Sequence, residues 1–123
     1  GSETVGKLHK ISLSDTSQIT TLDFTLGVHP ANLDIDGGNI FYSISNSVYK
    51  ISESSFTLPT AALFNTTSED VSGFYGFAVK GSNVFIADAN NFSSAGEIFV
   101  YSSTGGVINT RTVGVCPNGF YFN

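Results

Sequence analysis

Gly27-Val28-His29-Pro30-Ala31-Asn32-Leu33-Asp34-Ile35-Asp36-Gly37-Gly38-Asn39-Ile40-Phe41-Tyr42-Ser43-Ile44-Ser45-Asn46-Ser47-Val48-Tyr49-Lys50-Ile51-Ser52 is the stretch from which the rest of the chain is read, because the remainder repeats it. Asp36-Gly37-Gly38-Asn39-Ile40-Phe41-Tyr42 returns as Lys80-Gly81-Ser82-Asn83-Val84-Phe85-Ile86. Asn46-Ser47-Val48-Tyr49-Lys50-Ile51-Ser52 has counterparts in Gly6-Lys7-Leu8-His9-Lys10-Ile11-Ser12 and in Gly96-Glu97-Ile98-Phe99-Val100-Tyr101-Ser102. The opening Gly27-Val28-His29-Pro30 comes back as Gly114-Val115-Cys116-Pro117, two repeats and 87 residues later. A period of roughly 43 residues falls among four-stranded propeller blades and outside the helical repeats.

Strand patterning agrees with that period. Leu8–Leu13 and Ile19–Leu26 read as two strands, the second with Leu22, Phe24 and Leu26 on a dry face and Thr21, Asp23 and Thr25 on a wet one. Asn32–Asp36 and Asn39–Ser45 form a hairpin about Gly37-Gly38, a pair able to take the positive φ angles of a tight turn. Ile40-Phe41-Tyr42-Ser43-Ile44 is almost unbroken apolar, as expected of a strand covered on both faces. Val48–Ser52 and a fourth strand near Ala61–Asn65 complete one meander, and a second runs through Tyr75–Lys80, Asn83–Ala87, Glu97–Ser102 and Val107–Val113. Asn118–Asn123 restarts an innermost strand.

The predicted fold is therefore all-β, a partial β-propeller of four-stranded antiparallel meander blades amounting to about two and three-quarter blades. Its parts are residues 1–5 (tag remnant and leader), 6–26 (outer strands of a first blade), 27–65 (second blade), 66–113 (third blade) and 114–123 (inner strand of a further blade). Gly1-Ser2 reads as the scar of a cleaved expression tag. The open apolar faces of the end blades predict a homo-oligomer, with 118–123 of one copy beside 3–11 of another.

Composition narrows the partners. The 123 residues carry 5 Lys plus Arg against 10 Asp plus Glu, a net charge of -5, which repels a phosphate backbone and argues against nucleic acid. No apolar run approaches the length of a membrane helix, so no membrane span is expected. The single cysteine, Cys116, excludes an internal disulfide and leaves the redox compartment open.

The Val-Gly-x-x-Pro-x-Gly turn before an inner strand, followed by an aromatic-rich second strand and an apolar third, resembles the repeat of the YVTN-type β-propellers of bacterial and archaeal surface-layer and secreted proteins. Val113-Gly114-Val115-Cys116-Pro117-Asn118-Gly119 matches it best, Leu26-Gly27-Val28-His29-Pro30 in part, and Ser72-Gly73-Phe74-Tyr75-Gly76 only in its glycines. The second-strand motif survives as Phe41-Tyr42-Ser43-Ile44 and Phe85-Ile86-Ala87-Asp88. The resemblance implies a secreted or cell-surface location and names a blade type, not an activity.

Three candidate chemistries stand out. Asp34-Ile35-Asp36-Gly37-Gly38-Asn39 has the alternate carboxylates of a calcium loop, but Ser45 stands where the closing Glu belongs and the next repeat has Ala78 and Lys80 in place of Asp34 and Asp36, so an ordinary hairpin is expected. Cys116 with His9 or His29 would need a thiolate and base within reach, whereas Cys116 and His29 hold equivalent positions two repeats apart. Asn65-Thr66-Thr67 and Asn91-Phe92-Ser93 match the glycosylation pattern, which arises by chance in a Ser/Thr-rich chain.

The connection that grows between repeats is the more informative one. Asn46-Ser47 becomes Asp88–Gly96, and the spacing lengthens from 40 residues (Gly6 to Asn46) to 50 (Asn46 to Gly96). Loops that vary on a fixed scaffold are where function sits. Phe74, Tyr75 and Phe92 lie in turns, where they either seal the core or form a stacking surface for sugar rings or a partner's apolar patch, helped by Asp88, Asn90 and Asn91. Meander geometry predicts that His29, Tyr75, Asn90, Asn91 and Phe92 share one rim. The expectation is a non-catalytic module binding a protein or glycan partner there, with no catalytic residue, metal or cofactor. The rival is a carbohydrate-active or other hydrolytic site pairing Asp88 with Asp70 or Glu69.

Overall fold

The computed structural model describes residues 3–123, so the reading of Gly1-Ser2 as a tag scar lies outside the described residues. The chain is all-β, in three antiparallel sheets. Sheet I holds β1 (Val5–Ile11) and β2 (Ile19–Leu26). Sheet II runs β3 (Ala31–Asp36), β4 (Asn39–Ile44), β5 (Ser47–Ser52) and β6 (Phe64–Asn65), in that order. Sheet III repeats the meander as β7 (Gly76–Lys80), β8 (Asn83–Asp88), β9 (Ala95–Tyr101) and β10 (Val107–Val115). A 3-10 turn at Thr67–Glu69 lies between sheets II and III.

Both inner hairpins close alike. Asp36 pairs with Asn39 and Lys80 with Asn83. Gly37 and Gly38 have φ of 55° and 74°, and Gly81 and Ser82 of 57° and 63°, the mirror-image geometry whose twist matches the flanking strands. Ser82 takes this conformation without glycine's freedom, so the turn is imposed by the paired strands rather than chosen locally.

The apolar run in β4 has the predicted cause. Ile40 and Tyr42 point into one buried cluster with Phe24, Ile51 and Phe56, between sheets I and II. Phe41 points the other way, into a second cluster with Val48, Val79, Val84, Ile86 and Tyr101, between sheets II and III. Strand alternation thus splits the core into two inter-sheet layers. At about 1.5–3 kcal/mol for each large side chain fully buried, these layers are the main force holding the sheets together.

Two elements differ from expectation. Only Phe64–Asn65 of the expected strand at Ala61–Asn65 is paired, because the preceding loop turns inward and buries Phe56, with Leu58 packed on the same cluster. Residues 118–123 form no ladder, since no neighbouring strand offers them one. They nevertheless lie along sheet III, where Phe120 and Phe122 sit 5.8 and 4.9 Å, ring to ring, from Phe85. Among the described residues no helix is long and apolar enough to cross a membrane.

Candidate functional site

β8 ends on Asp88, and its carboxylate organises everything that follows. The side chain is 5% exposed, and both oxygens are engaged: Oδ2 accepts the Ser72 N–H at 2.7 Å and Oδ1 the Asn90 N–H at 2.8 Å. One carboxylate therefore ties the approach to β7 to the β8–β9 loop. The Tyr75 N–H donates to the Ala87 carbonyl at 2.9 Å, which fixes Tyr75 beside that loop.

The loop is braced from within. The Phe92 N–H donates to the Ala89 carbonyl at 2.9 Å. Asn91 Oδ1 accepts the Ser93 and Ser94 N–H groups at 3.0 and 2.8 Å, and both serine hydroxyls as well. Asn90 and Phe92 have φ of 51° and 63°, a left-handed conformation that is unusual for a bulky residue and costs on the order of 1–2 kcal/mol. That conformation places the Phe92 ring outside the core, 59% exposed and 5.2 Å from the Tyr75 ring at an interplanar angle of 88°. Tyr75 is itself 43% exposed.

Beneath the two rings opens a cavity of about 190 Å³, lined by Ser72, Phe74, Tyr75, Asp88, Asn90 and Phe92 among others. Five of the residues singled out from sequence, Phe74, Tyr75, Asp88, Asn90 and Phe92, thus converge on one cavity. Asn91 lies in the same loop, but its amide oxygen serves the turn. His29 does not line the cavity. It is exposed in the β2–β3 turn, packed over Gly6, where a Cβ would lie 3.1 Å from the His29 Cα.

The three turn aromatics separate into two roles. Phe74 is half-buried and stacks on Phe77, with ring centroids 6.3 Å apart, as part of the core's edge, whereas Tyr75 and Phe92 face solvent. Cys116 sits behind the loop, its thiol donating to the Phe92 carbonyl with Sγ 3.6 Å away. Sequence reasoning placed Cys116 in a turn without linking it to Phe92.

Of the other candidate carboxylates, Asp34, Asp36 and Glu69 are engaged by the fold, whereas Asp70 is exposed at the end of the 3-10 turn. Asp34 Oδ2 accepts the Val79 N–H at 2.6 Å, and Asp36 accepts the Ser82 and Gly81 N–H groups at 2.8 and 3.3 Å. The pair read as the start of a cation loop instead staples β3 to β7 and its turn. Glu69 accepts the hydroxyls of Ser68 at 2.5 Å and of Tyr101 at 3.3 Å. Burial, and then the Glu69 charge, push the Tyr101 phenol far above its ordinary range. Asp88 and Glu69 share no hydrogen-bond partner, and among the described residues no three His, Cys, Asp or Glu side chains converge as metal ligands.

Neither a scan against protein-family models nor a search of curated proteins finds a match for this chain. The likeness to YVTN-type repeats rests on the residues quoted above.

Proposed function

We propose that the chain is part of a β-propeller acting as a non-catalytic interaction module of a secreted or surface-attached bacterial protein, and that it binds through the rim formed by Tyr75, Asn90 and Phe92. The carrying observation is the pair of exposed, perpendicular rings over a cavity, held by a loop that accepts a left-handed Phe92 to present them. Backbone strain that the fold maintains at a solvent-facing aromatic supports reading that surface as one kept for contact.

The cavity's size accommodates a glycan ring. At about 190 Å³ it is smaller than the 300–1,000 Å³ typical of sites that enclose a whole drug-sized ligand, so it admits one ring of a larger molecule. A sugar ring stacked on Phe92 or Tyr75 would present hydroxyls to the Asn90 amide, which both donates and accepts. The hydrolytic alternative needs a second carboxylate poised near the first, and both oxygens of Asp88 are bound to backbone N–H groups.

Screening an oligosaccharide array with wild type, Tyr75→Ala and Phe92→Ala tests the reading. Binding by wild type that falls about tenfold or more in each variant supports it. Retention by both variants removes this rim from consideration, and saccharide cleavage would replace the module with an enzyme.

A further inference from the structure

The two strands of sheet I match the outer pair of sheet III. β1 and β9 each carry a glycine near their start that is pressed by a proline: a Cβ at Gly6 would lie 2.7 Å from Pro30 Cδ, and one at Gly96 2.5 Å from Pro117 Cδ. Lys7 pairs with Asp23 as Glu97 pairs with Thr112, each with a register shift at the same end. β1 and β2 therefore correspond to the third and fourth strands of a meander. In sheet III the place beside β9 is filled by β8 and then β7, whereas the corresponding edge of β1 has no ladder partner among the described residues.

The surface which that missing pair would cover is apolar and continuous with the packed interface between sheets I and II. A cavity of about 150 Å³ opens between β1 and β3, lined by Leu8, Pro30, Ala31, Leu33 and Tyr42 together with the polar Lys7 and Asn32. Leu8 and Tyr42 belong to the buried cluster between those sheets. Beside it, Leu33 and Ile35 stand 51% and 54% exposed.

Their repeat counterparts show what belongs there. Phe77 and Val79 of β7 pack in the cluster that contains Phe41 from β4. Phe120 and Phe122 pack on Phe85 from β8. Twice, then, the pair of residues equivalent to Leu33 and Ile35 seats on an aromatic from the second strand of a meander, Phe41 in one case and Phe85 in the other. At Leu33 and Ile35 that aromatic is missing.

We propose that the slot between β1 and β3 is a docking site for a two-stranded β-hairpin. Its second strand adds to the free edge of β1 and lays an aromatic side chain on Leu33 and Ile35, the chemistry that residues 76–88 show in this chain. Strand addition supplies the backbone hydrogen bonds and the aromatic supplies the selectivity. A second copy fits the slot less well. It offers only residues 118–123, a single unpaired segment whose Phe120 and Phe122 are already seated on Phe85, and it would leave a sheet of three strands where sheets II and III have four.

The probe is a synthetic peptide with the sequence of residues 73–88, titrated into the full chain with hydrogen exchange read at β1. The proposal expects saturable binding, slower exchange of the β1 amides that do not bond β2, and no effect from a scrambled peptide. Leu33→Asp with Ile35→Asp should weaken binding about tenfold or more. A peptide in which Phe85 is replaced by Asp should fail on the unaltered protein, which keeps the test valid if the double variant does not fold. Undiminished binding of either altered partner overturns the proposal. So do unchanged β1 amides, or protection of β1 that appears only as the chain dimerises without peptide.

Discussion

Replacing Asp34 with alanine removes the acceptor that joins the innermost strands of sheets II and III. The Val79 N–H, in a residue only 5% exposed, loses its partner at 2.6 Å and has no route to water. An unsatisfied buried donor costs about 1–3 kcal/mol, and the lost bond is charge-assisted, which places Asp34→Ala at about 2–3 kcal/mol. Asp36→Ala removes bonds to the Gly81 and Ser82 N–H groups, but both residues are exposed, and water replaces the carboxylate at a cost below about 1 kcal/mol. Asp34→Asn keeps one acceptor oxygen and should fall between the two. Urea unfolding measures all three, with a lower midpoint and an unchanged slope marking a loss of stability rather than a change in the exposed surface. Equal losses for Asp34→Ala and Asp36→Ala, or a loss below about 0.5 kcal/mol for Asp34→Ala, would refute the idea that buried backbone satisfaction joins these sheets.

Gly96→Ala should cost about 2 kcal/mol or more, because its Cβ would lie 2.5 Å from the Asp88 carbonyl oxygen, a backbone atom that no rotamer change can move. Gly73→Ala, with nothing within 4 Å of its Cβ, should be nearly neutral in the same unfolding assay. At Phe92, whose φ is 63°, glycine relieves the left-handed strain and alanine does not, so Phe92→Gly should be about 1 kcal/mol more stable than Phe92→Ala while both lose the ring's contacts. Burial, then the neighbouring Tyr49, push the Tyr42 phenol up to about 12. Its stabilising effect is fully present below the unfolded value of about 10 and is lost as pH rises towards 12, since the unfolded chain releases that proton first. Tyr42→Phe should therefore flatten the alkaline fall in unfolding free energy over that window, and an unchanged slope would show that Tyr42 does not titrate as its burial requires.

Elements were legible in the sequence where local chemistry and the repeat agreed. Gly37-Gly38 and the alternation around Phe41 set the hairpins and the two-faced burial of β4, because strand periodicity alone decides which core layer a side chain enters. The outer strand of sheet II was read too long, since burial of Phe56 depends on a loop path with no local signature. The ladder expected at 118–123 was absent for a related reason: a strand exists only with a neighbour, and a lone segment cannot report one. At the candidate site, the repeat comparison located Asp88–Gly96 as the lengthened loop, and turn placement singled out Tyr75 and Phe92. It could not separate them from Phe74, whose stacking on Phe77 depends on side-chain direction. Nor could it foresee that Asp34 and Asp36 face β7, because an inter-sheet hydrogen bond joins residues 45 or 46 positions apart in the chain.

The rim is tested most directly by recording backbone amide resonances of the full chain while titrating the best saccharide from the array. The account predicts shifts confined to residues 72–75 and 88–92, saturating with one affinity and abolished in Phe92→Ala without a change in the rest of the spectrum. Shifts that map instead to the slot between β1 and β3, or that persist in Phe92→Ala, would contradict it.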